Sequence, residues 1–127
     1  MTKLIKPSDA ETTILNTLWE LQPCSVKVIH ESLSKTRNVG YTTTLKQVQR
    51  MEEKGLVVRE PGKGKSFNYR ANVSEADTKS HLLDSFVATT FGDSVSELVM
   101  HALGNSETSQ DEIKKIKQFI KELESNG

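Results

Sequence analysis

Thr43, Lys46, Gln47 and Arg50 recur at i, i+3, i+4 and i+7 within the stretch GYTTTLKQVQRMEEKG, from Gly40 to Gly55. On a helix that spacing gathers them into one stripe. The stripe holds no acid, and Glu52 and Glu53 come only at its end, ahead of Lys54 and the stop at Gly55. Hydroxyl, amide, ammonium and guanidinium groups in a row supply the donors and charge that base edges and phosphates of a DNA major groove accept. A solvated face on an ordinary helix is the alternative, because polar faces are the rule on helix surfaces. Leu45, Val48 and Met51, at spacings of three, form the apolar side of the same helix.

The other reactive side chains are dispersed. His30, His81 and His101 form no H-x-x-x-H pair, and Cys24 is the only cysteine. One thiol makes neither an internal disulfide nor a multi-cysteine metal site. No nucleophile stands at a productive spacing from a base, and the acids cluster at helix starts, where capping and the helix dipole account for them. The chain therefore reads as a non-enzyme with no catalytic residue, metal or cofactor. The PGKGK run at 61–65 is rich in glycine and lysine but lacks the P-loop spacing, and it joins two strands rather than a strand and a helix.

The elements that position the stripe follow from capping and periodicity. Ser8 and Glu11 make a capping box for a helix reaching about Leu21 that buries Ile14, Leu15, Leu18 and Trp19, before Gln22-Pro23 breaks it. Ser25 caps a second, shorter helix with Val26, Val28, Ile29 and Leu33 on its apolar side and His30 among them. A polar turn at 34–40 leads into the opening stretch, so two short helices and a turn present an outward polar row, the helix-turn-helix plan. The period then switches from helical to alternating. Residues 56–60 and 66–71 read as two strands about the 61–65 turn, a hairpin whose tip lysines, Lys63 and Lys65, have the reach for backbone phosphate. Helix, helix, helix, hairpin is the order of a winged helix-turn-helix, with the recognition helix at about 42–54 and the wing at about 57–71.

The remainder is helical. One helix runs from Ser74 to about Phe91 with Leu82, Leu83, Phe86 and Val87 on its apolar side. A second carries Val95, Leu98, Val99, Ala102 and Leu103 and ends at Gly104, and a third, opened by Ser109 and Glu112, carries Ile113, Ile116, Phe119, Ile120 and Leu123. Three short amphipathic helices cannot each bury a face against a small winged domain. A second copy of the chain is the economical partner, and helix-turn-helix domains read half-sites related by a two-fold axis. The fold expected is mainly α with a small β-hairpin: a winged helix-turn-helix domain over 1–72, then a three-helix dimerisation region over 73–127. The dimerisation residues expected are Leu82, Leu83, Phe86, Val95, Leu98, Val99, Ile113, Ile116, Phe119 and Ile120.

Charge divides in the same place. The 127 residues are neutral overall, yet residues 1–71 hold twelve Lys and Arg against seven Asp and Glu, and residues 72–127 hold five against ten. A half at +5 attracts phosphate, while a half at −5 belongs away from it. No apolar run approaches the roughly 18 residues of a membrane span. The first eleven residues, MTKLIKPSDAE, lack an apolar signal segment, so the chain is expected in the cytosol.

Several of these residues together resemble a known family. Ser8-x-x-Glu11-x-x-Ile14-Leu15-x-x-Leu18-Trp19-Glu20, Tyr41-Thr42-Thr43, Arg50-Met51-x-x-Lys54-Gly55-Leu56-Val57 and Gly64-Lys65-x-x-x-Tyr69 are similar to the penicillinase-repressor family. That family includes the β-lactamase and methicillin-resistance repressors and the copper-responsive repressors. The resemblance covers essentially the whole chain. It implies a homodimeric repressor on a palindromic DNA operator, with Thr42, Thr43 and Thr44 opening the recognition helix, Lys46 and Arg50 continuing its exposed side, and Lys63 and Lys65 in the wing. A regulatory membrane protease sensor is a partner of the antibiotic-responsive members. The Asn-Phe bond cut in those proteins falls, in an ungapped alignment, at His101-Ala102 here. The Cys-x-Cys tail of the copper-responsive members has no counterpart after Cys24. A winged-helix protein-interaction module without DNA contact is the competing function.

Overall fold

Ser8 starts the first helix through both arms of a capping box. The Glu11 N–H donates to Ser8 Oγ (3.2 Å) and the Ser8 N–H donates to Glu11 Oε1 (2.8 Å), which satisfies two donors that a helix start leaves open. In the computed structural model, which describes residues 6–105 and 107–126, the elements run α1 (Asp9–Leu21), α2 (Val26–Ser34), α3 (Tyr41–Lys54), β1 (Val57–Pro61), β2 (Phe67–Ala71), α4 (Glu75–Thr90), α5 (Val95–Asn105) and α6 (Gln110–Asn126). Mainly helical with one antiparallel hairpin, this is the expected fold class. The chain divides into two compact units, the first ending at Leu83 and the second starting at Asp84. The division falls inside α4 rather than at the change of charge near residue 72.

In the first unit, Ile14, Leu15 and Leu18 of α1, Val26, Ile29 and Leu33 of α2, and Val48 and Met51 of α3 pack with Leu56, Val57 and Tyr69 into one buried cluster. Val48 and Met51 are the apolar side of α3, so the polar stripe on the same helix must face away. Gly55 ends α3 at φ 83°, a left-handed conformation that only glycine adopts without strain, and this turns the chain straight into β1. The hairpin pairs Val57 with Ala71, Val58 with Arg70 and Arg59 with Tyr69. Cys24 bridges the other edge of β2, its N–H and C=O bonding the backbone of Tyr69 (3.2 and 2.8 Å). Cys24 is thus a packed edge residue, and burial pushes its thiol up. Trp19 is half-buried, and its indole N–H donates to the Val73 carbonyl (3.1 Å), tying the approach to α4 onto α1.

Glu11 does more than cap. Its side chain is 2% exposed, and Lys54 Nζ at the end of α3 donates to Oε2 at 2.7 Å. Burial by itself raises the carboxyl pKa, but the Lys54 hydrogen bond and charge, with the Ser8 N–H, bring it below its ordinary 4.5. A carboxyl depressed in the folded state stabilises above its ordinary value, and the contribution is lost as pH falls through the folded-state value. Glu11→Gln is therefore expected to lower the urea midpoint at neutral pH and to flatten the acid side of the stability profile. An acid limb as steep as the parent's would exclude this role for Glu11.

In the second unit Gly92 turns the chain at φ 56° after α4. Ser94 caps α5 and Ser109 caps α6, accepting from the N–H groups of Glu97 and Glu112 at 3.2 Å each. Gly104 does not end α5 as its composition suggests; the helix carries through it to Asn105. A glycine without tertiary competition stays helical at modest cost when its neighbours are already hydrogen-bonded. Phe91 contacts Phe86 and His101 edge-to-face, at centroid distances of 5.7 and 5.9 Å. Val87 is buried, but α5 and α6 contain no buried residue among those described. No helix of the described residues is long and apolar enough to cross a membrane.

Candidate nucleic-acid interface

α3 supplies the outward row. Thr42, Thr43, Lys46 and Arg50 are exposed, and Gln47 is half-buried at the inner margin of the stripe, where it lines a small cavity with Arg37, Val39 and Thr44. Gly40, the residue before the helix, makes no side-chain cap, unlike Ser8 of α1 and Ser25 of α2. The first-turn N–H groups of α3 are thus left for solvent or an anion.

Thr44 corrects the sequence reading. It is only 2% exposed, its Oγ1 donates to the Gly40 carbonyl at 3.3 Å, and His30 Nδ1 lies 3.4 Å from the same oxygen. The reason is periodic: Thr44 precedes Val48 by four residues and Met51 by seven, which is the spacing of the buried side. Thr44 belongs to the packing between α2 and α3, not to the outward row. His30 is part of the same joint, with Nε2 3.4 Å from Ser34 Oγ and its ring edge-to-face with Tyr41 at 5.8 Å. Sequence reasoning also passed over Gln49. It is exposed three residues after Lys46 and seven after Thr42, so continuing the row by one helical step finds it.

The wing presents Lys63 and Lys65 at its tip, both exposed. Gly64 takes φ 63° there, and the turn closes through Gly62 N–H to Ser66 O (2.9 Å) and Ser66 N–H to Lys63 O (3.1 Å). Successive strand residues alternate faces, so Arg59, Phe67 and Tyr69 share the side of the hairpin that carries buried Val57, and Val58, Glu60, Asn68 and Arg70 share the other. A cleft of about 390 Å³ lies between the start of α2, α3 and the wing, lined by Lys27, Tyr41, Leu45, Ser66, Phe67 and Tyr69, among others.

Ion pairing sorts the cations of this basic half. Lys54 is held by Glu11, Arg59 by Glu52 (3.7 Å) and Arg70 by Glu60 (3.2 Å). Lys46, Arg50, Lys63 and Lys65 have no ion-pair partner among the described residues. The Tyr69 hydroxyl pKa is raised by burial first and by Glu52 next, with Arg59 opposing, so these three side chains lie within one electrostatic neighbourhood. Among the described residues no group of three or more His, Cys, Asp or Glu side chains could hold a metal ion.

The sequence is similar to known proteins along most of its length. It is 27% identical over 125 residues to the penicillinase repressor of Bacillus licheniformis, covering 96% of this chain and 94% of that one. It is 25% identical over 118 residues to the methicillin resistance regulatory protein MecI of Mammaliicoccus sciuri, covering 93% and 95%. In three dimensions it is similar to B. licheniformis BlaI, solved in its monomeric form in complex with the blaP half-operator. The TM-score is 0.52 at 27% identity, over 61% of this chain and 93% of that one. The penicillinase repressor family model matches residues 7–122, and the chain belongs to the penicillinase repressor family.

Proposed function

We propose that this chain is a homodimeric transcriptional repressor that binds a two-fold operator in the cytosol. Thr42, Thr43, Lys46, Gln47 and Arg50 face the major groove, and Lys63 and Lys65 contact backbone phosphate from the wing. The observation that carries the reading is the α3 stripe: exposed, free of acids from Thr42 to Arg50, flanked by a basic hairpin, and held on a helix whose other side is core. It is supported by the likeness of 61% of the chain to a repressor solved on a half-operator. The open N–H groups of the first turn of α3 suit a phosphate, since the dipole and unsatisfied donors act together there.

The C-terminal helices supply the second copy. Leu83, Phe86, Val95, Val99, Phe119 and Ile120 are exposed in a single chain, and Leu82, Leu98, Ile113 and Ile116 only half-buried. Apolar rows of that extent are covered in a working protein. Relief of repression by a membrane protease sensor cutting at His101-Ala102 requires that α5 open first, because both residues lie within the helix and a protease takes its substrate extended.

Arg50→Ala tests the assignment. Operator affinity is expected to fall about tenfold or more, in line with the roughly 1–3 kcal/mol of a good base or charge-assisted contact. The thermal midpoint should stay unchanged, since Arg50 is exposed. Gel-shift titration on the DNA upstream of the chain's own coding sequence provides the measurement, and equal affinities would remove Arg50 from the interface.

A further inference from the structure

We propose that Arg59 is a further phosphate-contacting residue, held ready at the junction of recognition helix and wing by Phe67 beneath it and Glu52 beside it. The inference rests on the operator-binding reading above and extends it to a residue between its two parts.

The guanidinium carbon of Arg59 sits 4.1 Å from the centroid of the Phe67 ring. Stacking on an aromatic face fixes the plane of the guanidinium and leaves its edge, where the donors are, to a second partner. The partners present are the Tyr69 hydroxyl, to which Arg59 also donates, and Glu52 of α3, with Oε2 3.7 Å from Nε. That separation exceeds the roughly 3.2 Å limit of an N–H···O hydrogen bond, so the pair is a loose one. Both side chains are substantially exposed, at 45% and 36%, and pairs of that kind contribute little to folding. A loose carboxylate is readily exchanged for a phosphate, which accepts the same fork of donors bidentately.

The position separates Arg59 from the other wing arginine. Arg59 pairs across the hairpin with Tyr69 and shares its face with Phe67, on the side turned to the core and α3. Arg70 pairs with Val58 on the opposite face, where it hydrogen-bonds Glu60 at 3.2 Å. A duplex read by the exposed row of α3 and touched by Lys63 and Lys65 passes the Arg59 side of the hairpin and not the Arg70 side. Glu52, the first acid after the stripe, then has two effects: it orients Arg59 in the free protein and competes with phosphate for it.

The test uses the full-length protein, with labelled duplexes from its upstream DNA and a scrambled duplex of equal length, and affinity is followed against salt concentration. Arg59→Ala is expected to weaken binding about fivefold and to reduce the slope of log K against log salt by about 0.9, the increment of one neutralised phosphate. Arg59→Lys retains the slope, Arg70→Ala retains both slope and affinity, and Glu52→Gln binds at least as tightly as the parent. If Arg59 only pins the wing to α3, Arg59→Ala loses affinity without a change of slope and Glu52→Gln weakens binding too; that pattern overturns the proposal, as does an Arg59→Ala protein equal to the parent. If Lys46→Ala and Arg50→Ala lower affinity while Arg59→Ala does not, the operator-binding reading stands and the assignment of Arg59 falls alone. A parent protein that binds neither duplex overturns both.

Discussion

Phe119→Glu is expected to convert the protein to a monomer and to lower its affinity for a full two-fold operator by on the order of 100-fold, because linked half-sites multiply effective concentration and unlinked ones do not. Phe119 lies in the apolar row of α6 with Ile113, Ile116, Ile120 and Leu123, and it is 51% exposed in the single chain. A monomer therefore has nothing to lose from the substitution. Seated against a second copy, the new carboxylate would be buried without a partner, at a cost of several kcal/mol. Sedimentation should show a halved mass. Binding to a half-site duplex should be close to that of the parent, since α3 and the wing are untouched. A Phe119→Glu protein with the parent's mass and the parent's full-site affinity would overturn the dimer contact proposed on α6.

The second large effect concerns the hidden side of the recognition helix. Met51→Ala is expected to reduce the unfolding free energy by about 2–5 kcal/mol, the range for truncating a fully buried large side chain to alanine. Met51 is completely buried and packs in the cluster that joins α3 to α1, α2 and the hairpin. Urea titration should show the midpoint shift with an unchanged slope, the sign of altered stability rather than altered compactness. Where the variant remains folded, its operator affinity should be near the parent's, because no side chain of the outward row is removed. A loss under about 1 kcal/mol would mean that the neighbours collapse into the vacated space.

The two sides of α3 are separable by spacing alone. The spacing of Leu45, Val48 and Met51 marked the inner side, and Val48 and Met51 are completely buried. The spacing of Thr43, Lys46, Gln47 and Arg50 marked the outer side, and three of the four are exposed. The run Thr42-Thr43-Thr44 suggests three threonines on one side, whereas a helix advances about 100° per residue and turns the third inward. Gln47 sits at the margin because it lies three residues after buried Thr44 and four before buried Met51. The capping serines Ser8, Ser25 and Ser109 were legible because a cap is a local event between residues three apart in the chain.

Local periodicity, caps and the glycine and proline breaks thus determined, from the sequence alone, six helices and a hairpin, the order of a winged helix-turn-helix, and the basic row that faces outward. Each of these depends on residues within one or two turns of each other. Contacts between residues far apart in the chain were left to the tertiary structure. Examples are the Glu11–Lys54 pair across 43 residues, the Trp19 bond to Val73 across 54, and the Cys24 bridge to Tyr69. Charge placement divided in the same way. Composition marked the first half as basic, but only packing separates Lys54, Arg59 and Arg70, held by carboxylates, from Lys46, Arg50, Lys63 and Lys65, left without an ion pair among the described residues. A sequence counts charges, whereas an ion pair depends on distances of a few ångströms that are set only when helix and hairpin pack together.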